Sequence, residues 1–181
     1  MPPTHISNLY ALAKGLRSAF ANAQSQNSNN ITHKITNGLQ NNAHLFTYYY
    51  QSHAKDWHKL SRPNPKHYQK TWLSLDNVPL EMAPGEQLPF GIAVLTWLPG
   101  QMTDIHSHPE HGCIMMPLRG TLIEERFHVL ESLPNKYLSV QKNIITTGQT
   151  AFINNDMGVH QVKNNENDIA VSLHVYSPGP C

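Results

Sequence analysis

The sequence predicts a mainly-β protein, an antiparallel jelly-roll barrel preceded by an α-helical N-terminal region. Three observations carry this. From about Leu88 onward, short apolar or alternating runs follow one another: Phe90–Leu98, Cys113–Leu118, Thr121–Val129, Lys136–Ile145, Thr150–Ile153 and Ile169–Tyr176. Turn signals separate them at Pro99-Gly100, Arg119-Gly120, Leu133-Pro134-Asn135, Thr147-Gly148 and Asn164-Asn165. Before Leu88 the apolar period is instead three to four residues. Many short strands at close spacing fit a barrel or double-sheet jelly roll, because each strand buries one face against the others.

The N-terminal part, residues 1–75, is assigned helical. Ile6, Leu9, Tyr10, Leu12, Ala13, Leu16 and Phe20 make one apolar stripe. Polar residues 23–30 interrupt it as a surface loop, and further helices are expected over Leu39–Tyr50 and Asp56–Leu60. Arg62-Pro63-Asn64-Pro65 ends the last, since proline removes a donor and biases its predecessor away from helix. The barrel is expected over residues 88–178. A chain of 181 residues is read as one domain.

Composition narrows the function. Lys and Arg total 13 against 12 Asp and Glu, with no charged block. Phosphate backbones and anionic lipid demand clustered cations, so neither nucleic acid nor membrane is an expected partner. No apolar run reaches bilayer length, and Met1-Pro2-Pro3-Thr4-His5 lacks the basic-then-apolar pattern of a secretory signal. Two cysteines, Cys113 and Cys181, offer no disulfide framework, so a reducing cytoplasmic setting is expected. Oligomeric state is left open, a monomer being compatible with everything above.

Twelve histidines stand out. His5, His33, His44, His53, His58 and His67 lie in polar surroundings and read as solvated. His106-Ser107-His108 differs: residues i and i+2 of an extended segment face the same way, so both imidazoles can converge on one ion. With 12 His in 181 residues, about 0.8 such pairs arise by chance, so the flanking pattern has to decide. Gly100 precedes His106 by six positions, Cys113 follows His108 by five, and Gly120 follows Cys113 by seven. This resembles the first cupin motif, with Cys113 where many cupins carry a ligating Glu. Gly148, Asn154 to Gly158, His160 and Asn164 resemble the second cupin motif, with internal spacing one residue off the common pattern. The resemblance implies a cupin-type double-stranded β-helix.

Three neutral imidazoles suit iron, copper, nickel or zinc. Without an acidic fourth ligand, an octahedral metal keeps open positions, as an oxygenase needs; a closed zinc site would recruit Cys113 instead. In Val171-Ser172-Leu173-His174-Val175-Tyr176, alternation gathers Ser172, His174 and Tyr176 on one face. That face is either solvent-exposed or a hydrogen-bonded relay in a polar cavity.

Together, Pro99-Gly100, Ile105 to His108, Gly112-Cys113, Leu118 to Gly120, Ala151 to Asn154, Gly158 to His160 and Ser172 to Pro178 resemble the cysteine dioxygenase family. The likeness runs roughly from Asp56 to Pro180. It implies a cytoplasmic oxidoreductase of cysteine catabolism that uses O₂ to convert L-cysteine to cysteine sulfinic acid. It also implies Fe²⁺ on His106, His108 and His160, a Ser172–His174–Tyr176 relay beside the substrate, and a thioether crosslink between Cys113 and Tyr176. Cys113 otherwise reads as a small buried apolar residue. The family's substrate-carboxylate arginine follows a tyrosine by two residues; here Tyr68 and Lys70 take those positions. Lysine keeps the charge and loses the planar fork. The thiol is therefore left between cysteine, 3-mercaptopropionate and a similar small acid, with Lys70 in a pocket or solvated. The chain also ends, at Cys181, sooner after Ser177-Pro178 than the animal enzymes do. Another metal-dependent cupin enzyme, or a cupin ligand sensor, is the alternative.

Overall fold

A computed structural model describes residues 63–72, 90–109, 111–130 and 136–177, together with Lys14 and Arg17. Among them run the strands β1 (Gln69–Trp72), β2 (Gly91–Trp97), β3 (Gly112–Arg119), β4 (Thr121–Val129), β5 (Tyr137–Thr146), β6 (Ala151–Ile153), β7 (Val159–Lys163) and β8 (Ala170–Ser177). They form two antiparallel sheets, one ordered β1-β2-β8-β3-β6 and the other β5-β4-β7. Side chains from both sheets meet between them: Ala93, Leu95, Trp97, Met115 and Ala170 from the first, Leu122, Ile145 and Val162 from the second. Each of these is at most 4% exposed, so the core lies between the two sheets, as a jelly roll requires.

The strand runs read from alternation reappear within a residue or two, because half-buried strands impose a period of two. β2 differs in being buried at every position, which matches its unbroken apolar run Gly91-Ile92-Ala93-Val94-Leu95-Thr96-Trp97. β8 is likewise buried on both faces, apart from a partly exposed Tyr176. β5 lies at a sheet edge and is exposed along nearly all its length.

Two corrections concern elements. β1 falls inside the stretch assigned as helical, so the barrel begins at Gln69 rather than near residue 88. Four residues, Gln-Lys-Thr-Trp, are too short and polar to announce a strand; pairing of Gln69–Trp72 with Thr96–Ala93 of β2 makes them one. β7 is absent from the expected runs as well, although Val159-His160-Gln161-Val162-Lys163 alternates in burial. Of the expected N-terminal helices, Lys14 and Arg17 are helical, and the rest of that region lies outside the described residues.

The two histidine motifs run side by side. Gly100 and Asn164 are joined by Gly100 N to Asn164 O at 2.9 Å, and Thr103 N donates to Val162 O at 2.9 Å. Farther along, His106 and His160 exchange both backbone hydrogen bonds, at 3.0 and 3.1 Å. Such a pair of directly opposed residues projects both side chains from the same face. No helix among the described residues is long and apolar enough to cross a membrane.

Candidate metal centre

His106 and His160 therefore start as cross-strand partners, and His108, two residues on, joins them from the same side. One ring nitrogen from each of the three lies within 4.8 Å of the others, and the ring centres are 4.5 to 4.8 Å apart. His108 and His160 are buried and His106 is partly so.

The backbone around the cluster is fixed by polar contacts. Asn155, in a short 3-10 turn (Asn155–Met157), accepts the His108 backbone N–H through Oδ1 at 2.9 Å. Asn154 caps that turn by accepting from Met157 N at 3.2 Å. Gly158 then takes φ of +100°, and a Cβ there would stand 2.6 Å from the Phe127 carbonyl oxygen. Only glycine meets both demands.

Two imidazoles have tautomers set by acceptors. His106 Nδ1 lies 2.8 Å from the Asp104 carbonyl, which can only accept, so Nδ1 carries the proton and Nε2 is left bare. His160 Nδ1 lies 2.8 Å from Glu124 Oε1, a carboxylate oxygen that accepts, so Nδ1 carries a proton there too and Nε2 is turned to the cluster. Among the described residues, His108 Nδ1 is buried without a hydrogen-bond partner. Burial lowers His106 and lowers His108 further, to about 3, helped there by the neighbouring His160 and His106. Three imidazoles, two with Nδ1 held by an acceptor and Nε2 turned to the cluster, match the donor set of a first-row transition metal. Cys113 is not part of the cluster, and among the described residues no carboxylate joins it.

A cavity of about 290 Å³ opens beside the histidines; Tyr68, Lys70, Trp72, His174 and Tyr176 line it. β1 points Lys70 inward, since its cross-strand partner Leu95 belongs to the core. The Lys70 ammonium sits over two aromatic faces, and burial lowers its pKa below the ordinary lysine value. Tyr68 stacks on Trp97 with ring centres 4.9 Å apart.

The polar face of β8 points into the barrel. Its cross-strand partners Ala93 and Leu95 are core residues, so His174 and Ser172 lie on the inner side. Ser172 Oγ accepts from Trp97 Nε1 at 2.9 Å and lies 2.8 Å from His174 Nε2. The other ring nitrogen, His174 Nδ1, meets Cys113 Sγ at 3.8 Å. Among the described residues it makes no hydrogen bond to the Tyr176 hydroxyl; the two rings stack instead, 5.9 Å apart. Cys113 and Tyr176 stand directly opposite each other on β3 and β8. Burial pushes the Cys113 thiol up to about 12 and raises Tyr176 as well, so both stay protonated.

The cysteine dioxygenase type I family model matches residues 15–180. The chain belongs to that family. Cysteine dioxygenase type 1 of Bos taurus is 34% identical over 90 residues, 49% of this chain and 45% of the relative. Cysteine dioxygenase type 1 of Danio rerio is 30% identical over 131 residues, 71% of this chain and 60% of the relative. The chain thus spans about half the length of the curated relatives it matches. A crystal structure from Thermus thermophilus superposes with a TM-score of 0.50 at 21% identity, covering 69% of this chain and 96% of that one. That likeness concerns the fold alone.

For a member of the cysteine dioxygenase family, two contributors escape a reading of the sequence. Glu124 is fully buried, and its Oε2 accepts from Arg126 Nε at 3.0 Å and from Asn143 Nδ2 at 2.8 Å. Burial works to raise its pKa, but hydrogen bonds from His160 and Asn143 and the Arg126 charge outweigh it, leaving the carboxyl below its usual value. A signal exists: in Leu122-Ile123-Glu124-Glu125-Arg126, alternation sets Glu124 on the face of buried Leu122. A carboxylate on a core face needs partners. Trp97, the donor to Ser172, is the second; it lies inside an apolar run that gives no hint of its indole N–H being used.

Proposed function

We propose that this chain is an iron-dependent thiol dioxygenase that uses O₂ to convert L-cysteine to cysteine sulfinic acid in the cytoplasm. The observation that carries this reading is the juxtaposition, around one cavity, of the three-His cluster, Lys70 and Tyr176, which faces Cys113 across β3 and β8. His106, His108 and His160 would hold the metal. When bound, ferrous iron supplies open coordination positions and the redox chemistry with O₂.

The protein's own residues do the rest. A half-buried ammonium has lost much of its water, so a substrate carboxylate restores to Lys70 what burial removed. Tyr176, kept protonated, offers an O–H donor in the same cavity and can hold or pass a proton at the reacting sulfur. Ser172 and Trp97 fix the His174 ring, which packs on the tyrosine and limits its movement. Cys113, kept as a thiol by burial, does not compete for the metal. Its cross-strand position against Tyr176 fits a thioether crosslink, in which S–H and ring C–H lose two hydrogens to O₂ and an S–C bond forms. Lys70 presents a point charge rather than a fork, so 3-mercaptopropionate is the alternative substrate.

The test is anaerobic reconstitution with Fe²⁺, then O₂ uptake and product analysis with L-cysteine, 3-mercaptopropionate and cysteamine. Sulfinate from L-cysteine supports the proposal. Iron bound at one per chain with no sulfinate from any of the three thiols sinks it.

A further inference from the structure

Three strands of one sheet contribute to a chain of contacts ending on His160. Glu124 on β4 pairs with Asn143 on β5, and Arg126 on β4 pairs with His160 on β7. Arg126 Nη2 also donates to the Phe152 carbonyl at 2.8 Å, which ties the group to β6 of the other sheet. Asn143 is itself oriented, since its Oδ1 accepts from Gln141 Nε2 at 2.9 Å, leaving its NH₂ for Glu124. One carboxylate oxygen thus faces only N–H donors, and the other faces His160 Nδ1. The carboxylate has no freedom to turn away.

We propose that Glu124, clamped by Arg126 and Asn143, is the positioning residue of the site: it locks His160 in the Nδ1–H tautomer, so that Nε2 faces the cluster. The proposal rests on the metal-site reading above, and it makes a prediction that ordinary structural support does not. In Glu124→Gln, the two donors claim the amide oxygen, because neither Arg126 nor the oriented Asn143 can accept. The amide NH₂ must then point at His160 Nδ1, which can satisfy it only by accepting. The ring proton moves to Nε2, the nitrogen that the metal needs. A near-isosteric change would thereby turn a ligand off.

Long-range ¹H–¹⁵N spectra of the metal-free full chain read the tautomer directly. Wild type is expected to show His160 as Nδ1–H, and Glu124→Gln to show a shift toward Nε2–H with an unchanged amide fingerprint. Competition against a colorimetric Fe²⁺ chelator is expected to show affinity falling about 10–100-fold in Glu124→Gln. Glu124→Asp, which keeps two oxygens, should recover most of the loss. A wild-type His160 in the Nε2–H form overturns the proposal, whether or not the Gln variant folds. So does a folded Glu124→Gln with wild-type tautomer and iron affinity. Should the wild type take up no iron while His160 is Nδ1–H, the proposed function falls and the tautomer lock stands.

Discussion

The Lys70 ammonium lies 4.0 Å from the centre of the Tyr176 ring and 4.5 Å from that of Trp72. Ring faces attract a cation and partly replace the water that burial removes. The ammonium still has N–H groups to donate to an anion, which sets the first prediction. Lys70→Met is expected to lower kcat/KM for L-cysteine and 3-mercaptopropionate about 10–100-fold, the worth of a charge-assisted hydrogen bond. Cysteamine, lacking a carboxylate, should change by less than about threefold. Steady-state O₂ uptake with the three thiols measures this, and equal losses for all would make Lys70 a packing residue only.

Cys113 and Tyr176 face each other across β3 and β8. After turnover with iron, O₂ and thiol, intact-mass measurement is expected to show a species lighter by two hydrogens. Cys113→Ala should abolish it. A fully titratable Cys113 thiol in active enzyme would mean that the bond does not form here.

Removal of a metal ligand separates binding from chemistry. His160→Ala is expected to lose iron and dioxygenation together, seen as less than about one-tenth of wild-type iron on elemental analysis, a loss of the order that a deleted ligand brings. Full activity in the variant would refute the ligand assignment.

Protonation should destabilise the metal-free protein in mildly acidic solution. His108 is driven down to about 3, by burial first and then by its two histidine neighbours. Between an unfolded value of about 6.5 and the folded value, the unfolded chain binds more protons, so stability falls as pH falls. At pH 5.5 this group alone removes about 1.4 kcal/mol relative to pH 7.5. Denaturant melts of the apo-protein at those two pH values measure it, and His108→Gln should flatten the difference.

Gly158 carries φ of +100° against the Phe127 carbonyl oxygen. Gly158→Ala adds both a backbone penalty and a steric conflict, and is expected to cost about 2–4 kcal/mol. A change below about 0.5 kcal/mol by denaturant unfolding would show that the turn relaxes freely.

Much of the barrel is legible because period-two burial prints itself on sequence. Thr121–Val129 is expected as a strand with the limits observed. The reading fails where a strand is made by its neighbours: β1 has no apolar period of its own, and pairing with β2 decides it. The histidine motifs are legible because glycine positions and His-x-His spacing are local. Glu124 is not, since its three partners, His160, Asn143 and Arg126, come from 36, 19 and 2 residues away.

By itself, then, the sequence determined which side chains could bind a metal and which strand faces they share, because spacing along an extended chain fixes direction. It also put Lys70 two residues after Tyr68, where the family resemblance implies a carboxylate binder. Only the tertiary structure decided that the Ser172–His174–Tyr176 face turns inward, that Lys70 points into the cavity, and that His174 meets Cys113 rather than the tyrosine hydroxyl. Those outcomes depend on which strands lie beside β8 and in what register, and strand pairing between distant segments leaves no local trace in the chain.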